Sequence, residues 1–549
     1  MDTTAHAADG LLDRLEQLHQ IGIALSRERD TGRLLESILL AAMRITRADG
    51  GTLYRVTDDA QALRFEIMHT DSLGLALGGA QAGPVPFAPL PLYRSDGAPN
   101  DSLVAAYAVI HDRTINIADA YQHEAFDFSG TRAFDARTGY RSRSFLTVPM
   151  KNHEGTCIGV LQLINAQPPG AAEKGGAAAV EFSTSDQRLA ESLASQAAIA
   201  ISNRQLIEQL EVLFESFISL INLAIDEKSP YTGGHCQRVP VLTMLLAEAA
   251  DATDQGPLSD FRMSGRDRYE LKIAGLLHDC GKITTPVHVV DKATKLQTLY
   301  DRIGLIDTRF EVLRRDAEIA ALRRQLALRP VADARAEAAA EQEMQTVLHA
   351  IERDRDFLRM VNLGAESMAD AQLDRVRDIA QRHRWRGPDG AEQPFLTDDE
   401  LENLSIRAGT LTQREREIIN HHIVATIKML EQLPWPSHLR NVPEYAGGHH
   451  ERMDGKGYPR GLTREQMSWQ ARMMGIADIF EALTAVDRPY KSGMTLSCAL
   501  GIMRKFKHGG HIDADLFDVF VRCGVYLEYA QQFLEPWQID AVDEQALLA

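Results

Sequence analysis

Residues 447–459 read GGHHERMDGKGYP, and this stretch decides how the C-terminal half of the chain is interpreted. Two adjacent histidines, His449 and His450, stand at the end of a helical segment and are followed by a turn rich in glycine that ends in Tyr458 and proline. Glycine and proline mark turns, and neutral imidazole is a common metal ligand. The stretch therefore predicts a loop that carries candidate metal ligands.

Further segments of the C-terminal half place histidine or aspartate near helix ends in the same way. They are YTGGHCQRV with His235, LLHDCGK with His278, Asp279 and Lys282, REIINHHIVATIKML with His421 and His422, GIADIFEAL with Asp478, and DRPYK with Arg488 and Lys491. Taken singly, each has an ordinary explanation as a packed or solvated side chain. CGK is not a phosphate-binding loop, because the spacing from Gly275 to Gly281 is too long and Ile283 replaces the hydroxyl residue. Taken together, the segments predict a metal centre.

The ligand types favour two ions. Imidazole mixed with carboxylate, without thiolate, suits iron, manganese or a related divalent ion better than structural zinc. Six or seven such ligands are too many for one tetrahedral ion, but they suit two octahedral ions about 3.5–4 Å apart. A pair of ions of this kind suits hydrolysis of phosphate esters, because it activates water and neutralises the charge that develops on the phosphoryl group.

The order HDxGK, histidine, HHExxDGxGYP, aspartate, RPYK resembles the HD-GYP phosphodiesterases over about residues 216–534. The defining strings here are HDCGK at 278–282 and HHERMDGKGYP at 449–459, and every family-defining position of the second string is present. The resemblance implies an all-α HD-type phosphohydrolase domain over residues 216–540. It also implies hydrolysis of cyclic di-GMP to linear pGpG and/or GMP. Two alternatives stay open: a phosphodiesterase for another cyclic dinucleotide, and a cyclic dinucleotide receptor without turnover.

The resemblance also implies roles for individual residues. The implied metal ligands are His235, His278, Asp279, His422, His449, His450 and Asp478. Asp279 is the implied bridge between the ions and, with Lys282, a catalytic residue; the implied substrate contacts are Lys282, Tyr458, Arg488 and Lys491. His422 is preferred to His421 because it lies eight residues before Leu430, as in the family pattern, and neighbours on a helix point about 100° apart.

Two positions depart from the family pattern. Tyr231 occupies the place of a glutamate that binds a third metal in some members, so two ions are expected. Glu481 replaces a familiar aspartate and is placed outside the ligand set.

An insertion at about residues 297–405 interrupts the HD-type domain, between DKATKL at 291–296 and IRAGTL at 406–411. It is charged and predicted to be a helical hairpin or small bundle, with Pro330 separating two arms. Met344, Leu348, Ile351 and Leu358 fit a helical seam. A solvated elaboration, a lid over the site and an extra dimer contact are the alternatives for its role.

A long helix is predicted over residues 185–226, after a capping-box match at Thr184 and Gln187. Leu206, Leu210, Leu213, Phe217 and Leu220 recur along it at spacings of four and three. This spacing is typical of a coiled-coil seam, which favours a parallel homodimer that carries a signal between domains. The alternative is one helix face that packs on its own domain.

The N-terminal region has a different pattern. A helix with Leu11, Leu15, Leu18 and Leu25 is predicted within residues 1–30, and a second helix at about 31–45. Strands follow at 52–56 and 63–68, and a hairpin at 144–165, which together predict an α+β domain over residues 31–205. This region resembles a GAF sensor domain, which implies a small ligand of unknown identity. The chain is thus predicted to be multidomain, with an α+β GAF domain before the all-α domain.

Composition limits the partners. With 59 basic and 77 acidic residues the net charge is −18, which argues against binding a nucleic acid polymer. The five cysteines are scattered and give no disulfide framework, and no apolar run reaches the roughly 18 residues of a membrane span. The sequence therefore predicts a soluble, cytoplasmic protein without membrane contact.

Overall fold

The computed structural model describes residues 20–23, 28, 30–80, 83, 85–168, 179–229, 233–328, 334–364, 367–486 and 493–549. Its contacts divide the chain into two compact units, Met1–Leu213 and Phe214–Ala549. Several predicted features lie outside the described residues, namely most of the helix predicted within residues 1–30, Tyr231, Pro330, Arg488 and Lys491.

The N-terminal unit is built on one antiparallel sheet. Its strands are β1 (Ala48–Val56), β2 (Ala62–Thr70), β3 (Leu75–Gly78), β4 (Leu90–Pro91), β5 (Ile115–Ile117), β6 (Phe145–Lys151) and β7 (Cys157–Ala166). Their order is β3-β2-β1-β7-β6-β5, with β4 paired to β2. The helices of this unit that precede β7 are α1 (Thr31–Thr46), α2 (Val104–Ile110) and α3 (Ser129–Thr138).

Alternation of side chains along the strands explains why helices cover both faces of this sheet. On one face, Leu53 and Leu161 pack with α1, whereas the adjacent Tyr54 and Val160 face the other way and pack with α2. The α+β fold predicted for this region is confirmed. The strands β3, β4 and β5 were not predicted, because segments of two to four residues are too short to show a period.

A single helix, α4 (Thr184–Lys228), follows the sheet. Its first turns bury Leu189, Leu193 and Ala197 in the core of the N-terminal unit. Further along, the predicted seam residues are about half exposed, from 46 % for Leu206 to 64 % for Leu210. None of the described helices is long and apolar enough to cross a membrane.

The C-terminal unit is predominantly helical, as predicted. Outside the insertion its helices are α5 (Gly233–Asp251), α6 (Gly265–Leu277), α7 (Val287–Val290), α12 (Gln413–Glu431), α13 (Val442–Gly447), α14 (Trp469–Thr484), α15 (Leu496–His508), α16 (Ala514–Arg522), α17 (Val525–Phe533) and α18 (Glu544–Leu548). One hydrophobic core joins residues from both sides of the insertion, for example Leu242 and Leu271 before it and Met473 and Phe480 after it. The insertion therefore separates these residues in the sequence, but they still pack into one core.

The insertion has a core of its own, centred on Phe310, Leu358 and Phe395. It consists of α8 (Ile303–Leu328), α9 (Ala334–Asn362), α10 (Asp370–Arg382), the hairpin of β8 (Arg384–Arg386) and β9 (Glu392–Pro394), and α11 (Asp398–Leu404). Ile351 and Leu358 of the predicted seam are buried, whereas Met344 and Leu348 are half-buried. The β-hairpin is a correction to the prediction of an all-helical insertion, and its three-residue strands carry no readable period.

Buried lysines close the base of the insertion. The Lys292 ammonium donates to Asn403 Oδ1 at 2.8 Å and to the carboxylate of Glu415, in the first turn of α12, at 2.8 and 2.9 Å. The Lys295 ammonium donates to the carbonyls of Ile406 (2.7 Å) and Leu404 (3.3 Å). These bonds join the residues before the insertion to those after it. They hold the start of α12 beside the segment that contains Lys292.

Candidate metal centre

The predicted ligands come from five helices, mostly near their ends. His235 lies in the first turn of α5, and His278 and Asp279 follow the last residue of α6. His422 lies within α12, His449 and His450 follow α13, and Asp478 lies within α14. A capping box at Ser264 and Asp267 fixes the start of α6 and hence the place where its C-terminal end delivers His278.

The first group of ligand atoms belongs to His235, His278 and Asp279, and all lie within 4.8 Å of one another. His235 Nε2 is 3.1 Å and His278 Nε2 is 3.3 Å from the same oxygen, Asp279 Oδ2. The two Nε2 atoms are 3.4 Å apart. Three donor atoms thus converge on one point.

The second group belongs to His422, His449 and His450, whose ligand atoms also lie within 4.8 Å of one another. Two carboxylates lie between the groups. Asp279 directs Oδ2 at the first group and Oδ1 at His422 Nε2, 3.2 Å away. Asp478 places Oδ1 3.2 Å from His235 Nε2 and Oδ2 4.0 Å from His450 Nδ1. Each carboxylate therefore faces both groups of histidines.

Unsatisfied buried atoms test whether these residues fit metal ions. Both carboxylate oxygens of Asp279 and the Nε2 atoms of His422 and His449 are buried and lack a hydrogen bond of good geometry. Buried polar atoms in folded proteins nearly always have a partner. Asp279 Oδ2 also has the Lys282 ammonium 2.6 Å away. Converging imidazole nitrogens and carboxylate oxygens fit divalent cations, so these residues could hold metal.

Hydrogen bonds to the backbone orient three of the histidines. The Nδ1 atoms of His278, His422 and His449 lie 2.7, 2.5 and 2.7 Å from the carbonyl oxygens of Gly275, Ile419 and Ala446, each three residues earlier. For His278 and His449 these carbonyls belong to the last turn of a helix, where they lack an intrahelical partner. The contact satisfies the carbonyl and leaves Nε2 directed at the site.

Burial and neighbouring charges shift the pKa values of the predicted ligands in different directions. Burial would raise the pKa of Asp279, but Lys282 and His278 hold it well below its usual range. Burial lowers the pKa of His450 to about 4 and that of His449 well below the ordinary value. Burial opposes protonation of His235, but the carboxylates of Glu481, Asp279 and Asp478 raise its pKa well above the ordinary value. Around neutral pH, Asp279 is ionised and His449 and His450 are neutral, whereas His235 would release a proton on binding a cation.

Close approach of the backbone explains the glycine of HDCGK. A Cβ atom on Gly281 would lie 2.0 Å from the carbonyl oxygen of His422, and the Gly281 N–H donates to Thr426 Oγ1 at 2.9 Å. The 3-10 turn Cys280–Thr284 therefore packs directly on the helix that carries His422. Any side chain at Gly281 would push apart the elements that hold Asp279 and His422.

The HHERMDGKGYP loop is held in a similar way. The buried carboxylate of Glu451 accepts the N–H groups of Arg460 and Leu462 at 2.7 and 2.9 Å. Gly457 packs so closely that a Cβ atom would lie 2.5 Å from the Cα atom of Glu451. The Tyr458 ring stacks on His450, with ring centres 4.9 Å apart. The motif thus places a tyrosine beside the second group of histidines.

The structure brings together the seven predicted ligands, and Lys282 Nζ lies 2.6 Å from Asp279 Oδ2. His422 is buried at the site, whereas His421 is exposed. The sequence reasoning missed Glu481, which it placed outside the ligand set, and Arg238. Glu481 lies near His235 in space, and a signal for both existed, because they follow Asp478 and His235 by one helical turn.

Comparison with protein families assigns both units. A GAF domain model matches residues 30–201, and two HD domain models match residues 232–381 and 398–516. The first HD segment contains His235, His278 and Asp279, and the second contains the remaining predicted ligands. The two segments contribute to one hydrophobic core, and both of their groups of ligand atoms face Asp279.

Curated relatives match part of this chain. One is a 3'3'-cGAMP-specific phosphodiesterase of Vibrio cholerae, 39 % identical over 121 residues, which are 22 % of this chain and 27 % of the relative. Another is a cyclic di-GMP phosphodiesterase of Pseudomonas aeruginosa, 38 % identical over 140 residues, which are 25 % of this chain and 33 % of the relative. The chain thus spans about a third or less of the length of these relatives.

Among solved structures, the GAF domain of an Acinetobacter phosphoenolpyruvate-protein phosphotransferase covers 36 % of this chain and 97 % of its own. It is 16 % identical, with a TM-score of 0.26. The family models define a GAF domain followed by an HD domain. The string HDCGK lies in the first HD segment and HHERMDGKGYP in the second.

Proposed function

We propose that the C-terminal unit is a metal-dependent phosphodiesterase that hydrolyses cyclic di-GMP to linear pGpG and/or GMP. The observation that carries the proposal is the position of Asp279, whose two buried oxygens face two separate groups of histidines. The relatives named as phosphodiesterases of cyclic dinucleotides support the substrate class.

The proposed cofactors are two divalent ions, iron or manganese. His235, His278 and Asp279 would hold one ion, and His422, His449 and His450 the other, with Asp279 and Asp478 facing both. Bound ions would supply a water activated for attack and neutralise charge on the phosphoryl group.

The chain's own residues provide orientation and positive charge. Lys282 lies beside Asp279 with part of its side chain exposed, and the carboxylate of Asp279 raises the pKa of its ammonium against the effect of burial. It therefore stays cationic, which suits contact with a substrate phosphate in a chain whose net charge is −18. Tyr458 lies beside His450, where a substrate would meet it; substrate contacts by Arg488 and Lys491 remain predictions from sequence.

Anaerobic turnover by manganese- or iron-loaded protein, with products separated by chromatography, tests the proposal. Cyclic di-GMP and 3'3'-cGAMP are compared side by side, because one of the relatives is named for each. His422→Ala is expected to abolish turnover, whereas the neighbouring exposed His421→Ala serves as the matched control and keeps it. Faster turnover of 3'3'-cGAMP would make it the proposed substrate in place of cyclic di-GMP. Two bound metals without turnover of either compound would favour a receptor.

We also infer that the GAF domain regulates this activity through α4. The last turns of α4 contact the backbone that carries the HDCGK residues. Asn222 Nδ2 donates to the carbonyl of Leu276 at 3.0 Å, and Lys228 Nζ donates to the carbonyls of Lys282 (3.4 Å) and Ile283. Movement of this end of α4 would therefore displace the segment that holds His278 and Asp279.

The GAF domain has a cavity for a ligand of about 550 Å³. Aromatic and polar side chains line it, among them Tyr54, Phe65, Phe128, Phe145 and Gln162. This supports a small-molecule ligand with an apolar, planar part.

Paired lysine variants test the contact between α4 and the HDCGK turn. Lys228→Met removes the donor to Lys282 and Ile283, and a lost hydrogen bond of about 1 kcal/mol predicts about a fivefold change in turnover. Lys272→Met removes the ion pair of Lys272 with Glu215, which joins α6 to α4 away from the turn. Equal effects of the two substitutions would contradict a specific role for the end of α4.

We further propose that α4 forms a parallel homodimer. The exposed seam that includes Leu210, Leu213 and Phe217 has coiled-coil spacing, and burial against a second copy would remove apolar surface from water. Sedimentation at micromolar concentration is expected to show a dimer, and Leu213→Glu a monomer. A wild-type monomer at that concentration would contradict the proposal.

A further inference from the structure

His235 differs from His278, His422 and His449 in the acceptor that its Nδ1 atom meets. His278, His422 and His449 each direct Nδ1 at a carbonyl three residues earlier. His235 has no such carbonyl within its own helix, because α5 begins at Gly233, only two residues before it. Its Nδ1 lies instead 2.5 Å from Oε2 of Glu481, on α14.

Glu481 is itself held firmly. Its side chain is fully buried, and its other oxygen, Oε1, accepts hydrogen bonds from Arg238 Nε (2.8 Å) and Nη2 (2.6 Å). A buried carboxylate is costly unless it is paired and hydrogen-bonded, and the guanidinium meets both needs. Arg238 follows His235 by one helical turn, so α5 supplies both partners of the carboxylate.

We infer that Glu481 and Arg238 are positioning residues that fix the tautomer and orientation of His235 and make the metal position of His235, His278 and Asp279 the tighter of the two. A carboxylate behind an imidazole raises its basicity as a ligand more than a neutral carbonyl does, and it adds negative charge near the cation. For His422 and His449, of the second group, the corresponding acceptor is a carbonyl. The inference rests on the metal binding proposed above.

A purely structural role is the competing explanation, because the pair also links α5 to α14. The insertion provides a matched case. Buried Glu400 accepts two hydrogen bonds from Arg309, at 2.6 and 2.9 Å, and joins α11 to α8. Its other recorded contacts are with Thr397 of its own capping box. Glu400 thus has the same ion pair as Glu481 and lies outside the metal centre.

Manganese binding by the full chain separates the two explanations. Glu481→Gln and Glu400→Gln are compared with wild type by equilibrium dialysis and elemental analysis, and the thermal midpoint of each metal-free protein is recorded. Wild type is expected to bind two ions in two steps. Glu481→Gln should weaken the tighter step by about 10–100-fold, the usual effect of losing such a partner, and leave the weaker step within about twofold. Glu400→Gln should lower the thermal midpoint and leave both steps unchanged.

Glu481→Asp keeps the charge but shortens the side chain, so partial recovery of the tighter step is expected. If Glu481→Gln fails to fold, Arg238→Met provides the second test, with a smaller loss at the same step. Unchanged metal binding in Glu481→Gln, or equal weakening of both steps, would overturn the inference. Normal two-step binding by a wild-type protein that hydrolyses no cyclic dinucleotide would reject the proposed function and leave this inference standing.

Discussion

The metal centre and the base of the insertion both bury charged groups, but they treat them in opposite ways. At the base of the insertion, Lys292 Nζ has three oxygen partners within 2.9 Å, and Glu400 is bonded twice to Arg309. At the metal centre, both oxygens of Asp279 and the Nε2 atoms of His422 and His449 lack good hydrogen bonds.

The difference distinguishes charged groups that stabilise the fold from charged groups that are available to bind a ligand. Asp279 Oδ2 is paired with the Lys282 ammonium, but the other three atoms lack a hydrogen bond, and a buried polar atom without a partner costs about 1–3 kcal/mol. That cost is offset when a cation binds, whereas the ion pairs of the insertion contribute with no ligand present. Substitutions in the two regions should therefore fail in different ways.

The largest effect is expected at Asp279. Asp279→Asn keeps the shape of the side chain but removes the charge that faces both groups of histidines. We expect kcat/KM for the cyclic dinucleotide to fall by at least about 10³-fold, equivalent to about 4 kcal/mol of transition-state stabilisation. Elemental analysis should show loss of bound metal, while circular dichroism shows a folded chain. Turnover close to wild type would remove Asp279 from its bridging role.

A smaller effect is expected at Lys292, and it should lower stability and leave turnover nearly unchanged. Lys292→Met leaves the Glu415 carboxylate without its ammonium partner, and breaking a buried pair typically costs about 3–5 kcal/mol. Denaturant unfolding should show the loss of stability, while turnover per folded molecule stays within about twofold. Adding Glu415→Gln should restore part of the stability, because the unpaired charge is then gone. Lost turnover at unchanged stability would place the base of the insertion in the catalytic machinery.

The sequence predicted which residues the structure brings together far better than it predicted the residues that support them. HDCGK and HHERMDGKGYP supply four of the seven ligands in two short strings, and helical geometry separates His422 from His421. The role of Glu481 arises only when α14 packs beside α5, since 246 residues separate it from its partner His235. Local pattern carries little information about contacts at such separations.

The insertion shows the same limit. Its long helices were evident from composition and spacing, but the strands β8 and β9 were not, and Lys292 gave no sign in the sequence that its ammonium would be buried. A lysine is usually exposed, so only the tertiary contacts with Asn403 and Glu415 explain this one. Short local strings thus predicted residues that lie together in the structure, whereas contacts between distant segments were not predicted.

The smallest predicted effect is a dependence of stability on pH at Lys295. The partners of its buried ammonium are neutral: the carbonyls of Leu404 and Ile406 and the sulfur of Met368. Burial lowers the pKa of Lys295 to about 8 from an ordinary 10.5. The folded chain therefore holds fewer protons than the unfolded chain between about pH 8 and 10.5, so stability rises with pH across this window.

From pH 7 to pH 9 the gain from this group is about 1 kcal/mol. Calorimetric midpoints of wild type and Lys295→Met at both pH values measure it, and the wild type should gain more than the variant. Equal changes would mean that Lys295 keeps its proton in the folded chain. The carbonyls of Leu404 and Ile406 would then stabilise the buried Lys295 ammonium without a carboxylate. The presence of an oppositely charged partner would no longer distinguish the base of the insertion from the metal centre. The two regions would then differ only in whether their buried polar atoms have hydrogen-bond partners.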